Sequence, residues 1–227
     1  MIPIRDNIPA SRTPVVMWVL IVANLVAFFY QFTLPSPALE RLVHLWGVVP
    51  AEFTDASLRS RAAPRQYMAL VSSMFLHGGI LHVLLNLWSL WIFGDNVEDH
   101  MGRGKFLLFY LVCGVAASAV HILMHPESTL PAIGASGAIS GVMGAYVLLF
   151  PMARVLVVIP IIIIPLFLSV PALVFIGFWF AIQFLSGTAA LSQQADAAGV
   201  AFWAHIGGFL SGMVLCPFLA TRPASRG

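Results

Sequence analysis

Long runs of apolar residues alternate with short polar segments along most of this chain. A helix needs about 20 predominantly apolar residues to cross the hydrocarbon core of a bilayer. The pattern predicts six membrane-spanning helices, at about 14–32, 79–93, 106–123, 136–150, 169–185 and 200–219. The long segment between the first two contains apolar stretches of its own, such as 42–49, so we expect it to fold against the membrane.

Two parts of this pattern are irregular. The stretch 155–170 is apolar, but Pro160 and Pro165 argue against one regular helix through it, so the fifth span begins near its end. The fourth span rises only about 22 Å over its fifteen residues, whereas a bilayer core is about 30 Å thick. Ser136, at its start, is therefore expected below the membrane surface, where irregular backbone is tolerated only inside protein or beside a wet cavity. A hydroxyl in that position is a candidate reaction site.

Composition agrees with a membrane protein. The chain is 60% apolar and 9% charged, against about 25% charged residues in soluble domains. We therefore predict an all-α, polytopic membrane protein, a six-helix bundle forming one domain over 1–227 with its core at about 14–219 and short terminal tails. The N-terminus lacks the features of a cleaved signal peptide, so the first span is expected to be retained. The net charge is only +2, and the basic residues are not clustered into a stripe, so no nucleic-acid partner is predicted.

Orientation is predicted from the Lys and Arg residues of the loops, which favour the cytoplasmic side. An even number of spans places both termini on the same side of the membrane. That side would hold Arg5, Arg12, Arg103, Lys105, Arg154, Arg222 and Arg226. The other side would hold Arg41, Arg59, Arg61 and Arg65. Both termini are therefore predicted to be cytoplasmic, with Ser136 near the extracytoplasmic surface.

His205 is the first candidate partner for Ser136. It lies about five residues into the sixth span, roughly 7 to 8 Å deep, which matches the expected depth of Ser136. Small residues follow both at helical spacing, with Ser140 and Gly144 in the fourth span and Gly208 in the sixth, so the two helices can approach closely. A serine beside a neutral imidazole is an activated nucleophile. The nearest carboxylate, Asp196, falls in a loop, so a dyad without a buried acid is expected.

His82 and Asn86 are the second candidate pair. They are four residues apart, so they share one face of the second span. Acyl transfer needs donors aimed at the oxygen of the tetrahedral intermediate, and both side chains can donate. The N–H of Ser136, at the positive end of its helix, could add a third donor.

Less specific interpretations remain for several polar residues. A lone membrane serine usually packs or bonds to its own helix, and a lone membrane histidine is often structural. His121 and His125 have the spacing of metal ligands, but no Glu follows His121 as in a His-Glu-x-x-His site, so neither metal nor cofactor is predicted. We expect Asn24, Gln31 and Gln183 to be interhelical hydrogen-bond partners.

Four motifs occur together in a fixed order. They are His77-x4-His82-x3-Asn86, Gly94-x3-Glu98-x3-Gly102, Gly134-Ala135-Ser136-Gly137 and Ala204-His205-x2-Gly208. In these motifs the chain resembles the rhomboid intramembrane serine proteases, over about 14–219 and in their minimal six-span bacterial form.

This resemblance implies roles for the motif residues. Ser136 would be the nucleophile, His205 the general base and acid, and His82 and Asn86, with the Ser136 amide, the oxyanion hole. Residues that would support the site are His77, Gly134, Gly137 and Gly208. It also implies transmembrane protein substrates in a bacterial cell membrane, with the fifth span and the following loop gating their entry. The aromatic side chains of that span are predicted to fill a seam against the second span.

Two positions depart from the family pattern. Many relatives have a Trp-Arg pair in the first loop, where this chain has Arg65-Gln66-Tyr67. Relatives often have an aromatic residue one turn after the nucleophile, packed on the histidine, where this chain has Ser140. His205 is thus expected to be held less firmly, or by a hydrogen bond.

Three classes of function make different demands on these residues. An endopeptidase that cleaves transmembrane segments uses all of them. A non-proteolytic binder of transmembrane helices, acting in quality control or trafficking, is the alternative, and it predicts loss of Ser136 or His205. A channel or transporter would need polar positions across the whole membrane thickness, whereas here they gather near one surface.

Overall fold

The computed structural model describes residues 1–161, 164–192 and 201–221. Its helices are α1 Val15–Thr33, α2 Ser36–Trp46, α3 Ala51–Thr54, α4 Ala56–Ala62, α5 Arg65–Ser72, α6 Ile80–Met101, α7 Arg103–Met124, α8 Ser136–Leu149, α9 Ala172–Ser192 and α10 Phe202–Leu219. Its strands are β1 Ile2–Asp6, β2 Arg154–Ile161 and β3 Ile164–Pro171.

The predicted polytopic helical bundle is confirmed. Among the described residues, five helices are long and apolar enough to cross a membrane, namely α1, α6, α7, α9 and α10. The fourth predicted span, α8, is apolar but has only 14 residues, a rise of about 21 Å. All of its residues from Gly137 to Val147 are buried, so the short helix is the centre of the bundle and the others surround it.

Close backbone contact joins α8 to α10, its most extensive partner. A Cβ atom on Gly208 of α10 would overlap the carbonyl oxygen of Gly137 in α8, and one on Gly212 would overlap that of Gly141. Only glycine permits this approach, which is how small residues join membrane helices. The contact sets the spacing of the two helices that carry Ser136 and His205.

Helix α6 continues beyond its predicted end, to Met101, through several polar residues. The polar side chains are accommodated by partners rather than by solvent. The buried Glu98 accepts hydrogen bonds from the N–H groups of Val16 at 3.0 Å and Met17 at 2.7 Å. These N–H groups lie in the first turn of α1 and have no partner within their helix, so an anion there stabilises the helix start.

A three-stranded antiparallel sheet, absent from the sequence prediction, joins the N-terminus to the segment before α9. Strand β2 is central and rich in Val, with Val155 and Val157 buried, as suits a strand packed on a core. Pro160 faces Pro165 across the hairpin, beyond the part of β2 that pairs with β1. A proline there removes no hydrogen bond to β1. Because β3 extends to Pro171, α9 begins at Ala172 instead of near residue 169.

The segment between α1 and α6 is ordered as the four short helices α2 to α5, in agreement with the expectation that it is folded. Arg65 connects these helices: its guanidinium donates to the carbonyl of Leu45 at 2.6 Å and pairs with Glu52 at 2.5 Å. This arginine therefore organises the loop in which the family's Trp-Arg pair is missing.

Both ends of the described chain lie at one end of the bundle. The backbone N–H of Ser11 donates to the Asp99 carboxylate at 2.7 Å, and that of Thr221 donates to the His100 carbonyl at 3.0 Å. Asp99 and His100 are in the last turn of α6, whereas His82 is in its first turn. The predicted site is therefore at the opposite end from the termini. Arg222, Arg226 and Asp196, used in the sequence analysis, lie outside the described residues.

Candidate active site

Ser136 is the first residue of α8, directly after a turn formed by Gly134 and Ala135. Gly134 has φ +126°, a backbone conformation open to glycine and strained for other residues. Its N–H donates to the carbonyl of Ser73 at 2.9 Å, which fixes the turn to the segment before α6. The turn thus ends with the Ser136 hydroxyl at the N-terminus of a buried helix.

His205 lies in the first turn of α10, beside Ser136. Its Nε2 is 2.7 Å from Ser136 Oγ, a hydrogen-bond distance for a hydroxyl and an imidazole. One turn further along α10 is Gly208, whose contact with Gly137 brings the helices together. The structure thus brings together the two residues predicted from separate spans.

The other ring nitrogen of His205 contacts a residue that the sequence analysis did not place in the site. Gln183 Oε1, from α9, is 2.7 Å from His205 Nδ1. An amide oxygen can only accept, so in this arrangement Nδ1 carries the proton and Nε2 presents a lone pair to the Ser136 hydroxyl. Gln183 was expected to be an interhelical partner; the residue that it bonds is the unexpected finding.

Trp179 lies one turn before Gln183 on α9, and its ring also contacts His205. The ring centroids are 5.8 Å apart, with the planes inclined by 36°. Ser140 of α8 is engaged elsewhere, because its hydroxyl donates to the carbonyl of Ser136 at 2.6 Å within its own helix. Support for the imidazole therefore comes from α9, by a hydrogen bond and an aromatic contact.

The aromatic residues of α9 only partly form the seam predicted against the second span. Phe175 contacts Phe93 of α6, with ring centroids 6.5 Å apart. Phe180 packs on Phe209 of α10 at 4.6 Å, and Phe178 is 56% exposed. The described aromatic contacts of α9 are therefore shared between α6 and α10.

His82, in the first turn of α6, directs a donor toward the same place. The N–H of Gly78 donates to His82 Nδ1 at 3.3 Å, so the proton of a neutral ring is on Nε2. A Cβ atom on Gly134 would lie 2.7 Å from His82 Nε2 and 3.6 Å from Ser136 Oγ. Nε2–H and the hydroxyl of Ser136 therefore border one small space, which Gly134 leaves open.

Asn86 follows His82 on the same face of α6 and is buried. Its Nδ2 has no hydrogen-bond partner among the described residues. The amide thus retains donor capacity, which a buried polar group rarely leaves unused.

His77 packs against His82 and is itself held in place by α1. Gln31 of α1 brackets its backbone, accepting from the His77 N–H at 3.0 Å and donating to its carbonyl at 3.1 Å. The rings of His77 and His82 meet edge to face, with centroids 5.0 Å apart. Burial, and secondarily the neighbouring His82, lower the pKa of His77 to about 4, so its ring is neutral near pH 7.

A cavity of about 330 Å³ adjoins His82. His121 and His125 line it, with ring centroids 4.9 Å apart, together with Trp203 of α10. In the part of the chain that the structure describes, no group of three or more His, Cys, Asp or Glu residues has the arrangement of a metal site.

Comparisons with known proteins give a family match and several relatives. A family model described as "Rhomboid domain" matches residues 64–222, which include α5 to α10 and all four motifs. "Rhomboid protease GluP" of Bacillus subtilis (strain 168) is 39% identical over 90 residues, or 40% of this chain and 17% of that protein. "Putative rhomboid protease YdcA" of the same strain is 29% identical over 133 residues, or 59% of this chain and 61% of that protein.

A mitochondrial relative extends the similarity beyond bacteria. "Rhomboid protein 1, mitochondrial" of Saccharomyces cerevisiae (strain ATCC 204508 / S288c) is 29% identical over 158 residues, or 65% of this chain and 40% of that protein. The alignments span less than two thirds of the length of each of these three relatives.

Proposed function

Because the chain belongs to the rhomboid family, we propose that it is an intramembrane serine endopeptidase that cleaves transmembrane segments of other proteins. The observation that carries the proposal is the 2.7 Å contact between Ser136 Oγ and His205 Nε2 at the N-terminus of a buried helix. Similarity to GluP and YdcA, both named as rhomboid proteases, supports a protease. The whole of 1–227 would act as one membrane domain.

In the proposed mechanism, His205 Nε2 takes the proton from Ser136 Oγ while that oxygen attacks the carbonyl carbon of the scissile bond. The resulting imidazolium donates this proton to the departing amine, the C–N bond breaks, and an ester to Ser136 remains. Water then attacks the ester with His205 as base. Collapse of that intermediate returns the proton to Ser136 and releases the new carboxyl end.

Charge that develops on the substrate oxygen would be stabilised at the space left by Gly134. His82 Nε2–H and the amide of Asn86 are the proposed side-chain donors, and the Ser136 N–H is the proposed backbone donor. The helix dipole of α8 adds to their effect, since its positive end points at the same oxygen. Each such donor is worth about 3 to 4 kcal/mol in related chemistry.

Hydrolysis also requires water at Ser136. A small cavity of about 30 Å³ lies against Ser136, Ser73 and His121, and that volume is enough for one water molecule. Each of these three side chains carries a polar atom with which such a water could bond. The cavity supports hydrolysis at this end of the bundle.

The proposed setting is a bacterial cell membrane, with both termini cytoplasmic and the site opening toward the extracytoplasmic surface. It rests on the distribution of Lys and Arg in the loops. Substrates are proposed to be transmembrane protein segments whose helix unwinds locally to expose a carbonyl.

The test is labelling of the detergent-purified protein by a fluorophosphonate probe, alongside cleavage of a reconstituted transmembrane substrate. We expect wild type to be labelled and active, and Ser136→Ala to be neither. Ser140→Ala is the matched control, since that hydroxyl bonds only within α8 in the described structure. A wild-type protein that binds transmembrane helices but neither reacts with the probe nor cleaves would instead be the non-proteolytic binder.

A further inference from the structure

We propose that Gln183 is a positioning residue for His205, which holds the imidazole with Nδ1 protonated and Nε2 free to accept the proton of Ser136. The inference rests on the proposed function, because it concerns the same dyad. It assigns to an uncharged amide on α9 the orienting role that a carboxylate has in a Ser-His-Asp triad.

The geometry is a continuous chain of two short hydrogen bonds. Gln183 Oε1 is 2.7 Å from His205 Nδ1, and His205 Nε2 is 2.7 Å from Ser136 Oγ. Both ring nitrogens are therefore used, one on each side. A ring turned over about its Cβ–Cγ bond would lose both contacts together, so the amide fixes the ring orientation as well as the tautomer.

Burial explains why an amide suits this position. Gln183 is only 8% exposed, within an apolar helix. An ionised carboxylate placed there would lose its hydration, at a cost of several kcal/mol. An amide oxygen accepts the same hydrogen bond from Nδ1–H without a buried charge. It also stabilises the imidazolium less than a carboxylate would, which leaves His205 a weaker base.

The surroundings of His205 contain a second contact from the same helix. Trp179, one turn before Gln183, contacts the ring, and the described hydrogen bond from α8 is that of the Ser136 hydroxyl. The titratable groups that act on His205 are His82 of α6 and His121 of α7. Among the described residues no carboxylate bonds the imidazole, and Asp196 lies outside them.

The first experiment compares kcat, KM and the pH profile of reconstituted wild type, Gln183→Leu and Gln183→Glu. We expect Gln183→Leu to lower kcat about 10- to 100-fold with KM within about twofold, because the ring is misoriented but substrate contacts remain. Gln183→Glu should recover much of this loss, since a carboxylate also accepts from Nδ1–H.

The direction of the pH shift separates positioning from mere packing. A carboxylate at residue 183 stabilises the imidazolium and so raises the pKa of His205. The base is active when deprotonated, so the acid limb of the kcat profile should move to higher pH, by about one unit or more. A packing role predicts equal losses for Leu and Glu with no such movement, and that result would overturn the proposal. Wild-type kcat in Gln183→Leu would overturn it as well.

Thr188→Ala is the matched control on the same helix. Its hydroxyl donates to the carbonyl of Leu185, within α9, so kcat and the pH profile should stay at wild-type values. Loss of activity in this variant equal to that in Gln183→Leu would mean that α9 tolerates no change and that residue 183 has no special role.

A second measurement does not depend on whether the Gln183 variants are active or folded. ¹⁵N NMR of histidine-labelled wild type at neutral pH should show His205 as the tautomer protonated at Nδ1, assigned by comparison with His205→Gln. Protonation at Nε2 would reject the proposal even if the enzyme is active. Conversely, a wild-type protein that shows the expected tautomer but no cleavage would reject the proposed function and leave the hydrogen bond of Gln183 in place.

Discussion

Helix α8 carries Ser136 of the proposed dyad and α9 carries residues that contact His205, but the two helices are packed in opposite ways. Nearly every residue of α8 is buried, whereas α9 is the least buried of the five long apolar helices. Ser136, the proposed nucleophile, is therefore held by the centre of the fold, whereas the residues that contact His205 are held by a peripheral helix. Changes that disturb the close backbone packing of α8 should damage the whole structure, and changes at α9 should damage the reaction first.

The side chains account for this difference. Small residues along α8, such as Gly137 and Gly141, allow neighbouring backbones to approach it on several sides. Large side chains along α9, including Phe178 and Leu185, face outward, where lipid would surround them. Because lipid tails are as apolar as these side chains, little free energy holds such a helix to its neighbours.

The largest effect tests the proposed dyad itself, which lies on α8 and α10 and which α9 supports through its contacts with His205. Ser136→Ala and His205→Ala should each abolish cleavage of a reconstituted transmembrane substrate, since either change removes a reacting atom. The melting temperature of both variants should remain near that of wild type. Cleavage close to the wild-type rate by either folded variant would contradict the assignment of Ser136 and His205 as a catalytic dyad. The comparison of α8 with α9 as its supporting helices would then lose its basis.

Gly208→Ala tests the tightly packed contact between α8 and α10. The added Cβ would overlap the Gly137 carbonyl oxygen, so we expect a loss of stability of about 1 to 3 kcal/mol or more, because backbone must move. Thermal unfolding in detergent measures this loss of stability.

The matched control is Gly177→Ala on α9, where the new Cβ meets nothing within 4 Å. That change should be neutral or slightly stabilising, since glycine is a poor residue inside a helix. Equal losses in the two variants would contradict the difference in packing.

His82→Ala and Asn86→Ala extend the test to α6, which supplies neither the nucleophile nor its base. Each should lower kcat by roughly 10- to 1000-fold with little change in KM, because an oxyanion donor acts on the transition state. Steady-state kinetics at constant pH decide it. Folded variants that cleave as fast as wild type would make these residues structural.

Adjacent residues of α9 allow a finer comparison. Trp179→Ala removes the ring against His205 and should lower kcat about tenfold, since a misplaced base reacts poorly. Phe178→Ala, at the neighbouring and 56% exposed position, should stay within about twofold on the same reasoning. A greater loss from Phe178 than from Trp179 would show that α9 acts through its outer face.

The smallest expected effect is that of a chelator. The proposed reaction uses side chains and water, so incubation with 1,10-phenanthroline should leave the cleavage rate within experimental error. Activity that disappears and returns with zinc would direct attention to His121 and His125, which line the cavity beside His82.

The sequence predicted the parts of the site that depend on local spacing. Helical periodicity placed His82 and Asn86 on one face, and the shortness of the Ser136 span predicted a buried helix start. It did not predict the contact between Gln183 and His205, because α9 is apolar all around and its pattern does not indicate which face meets α10. One signal was present: Trp179 and Gln183 are four residues apart, the spacing of a shared face.

The three-stranded sheet was not predicted from the sequence, for a different reason. Each strand is short, and β1 pairs with a segment far along the chain, which no local pattern reports. The end of α6 was also missed, since Glu98 resembles a loop residue until its role at the start of α1 is known. Long-range partners, not local preferences, decided both.

The pairing of β1 with β2 imposes an order on biosynthesis. Ile2 pairs with Val158, so the first strand leaves the ribosome roughly 150 residues before its partner. At about 5 to 20 residues per second, that interval is about 8 to 30 s. During this interval α1, α6, α7 and α8 emerge. The backbone groups of β1 remain unpaired, so they can form hydrogen bonds with other strands. A bulky fusion placed before Ile2 would therefore interfere with formation of the sheet more than one placed after Thr221.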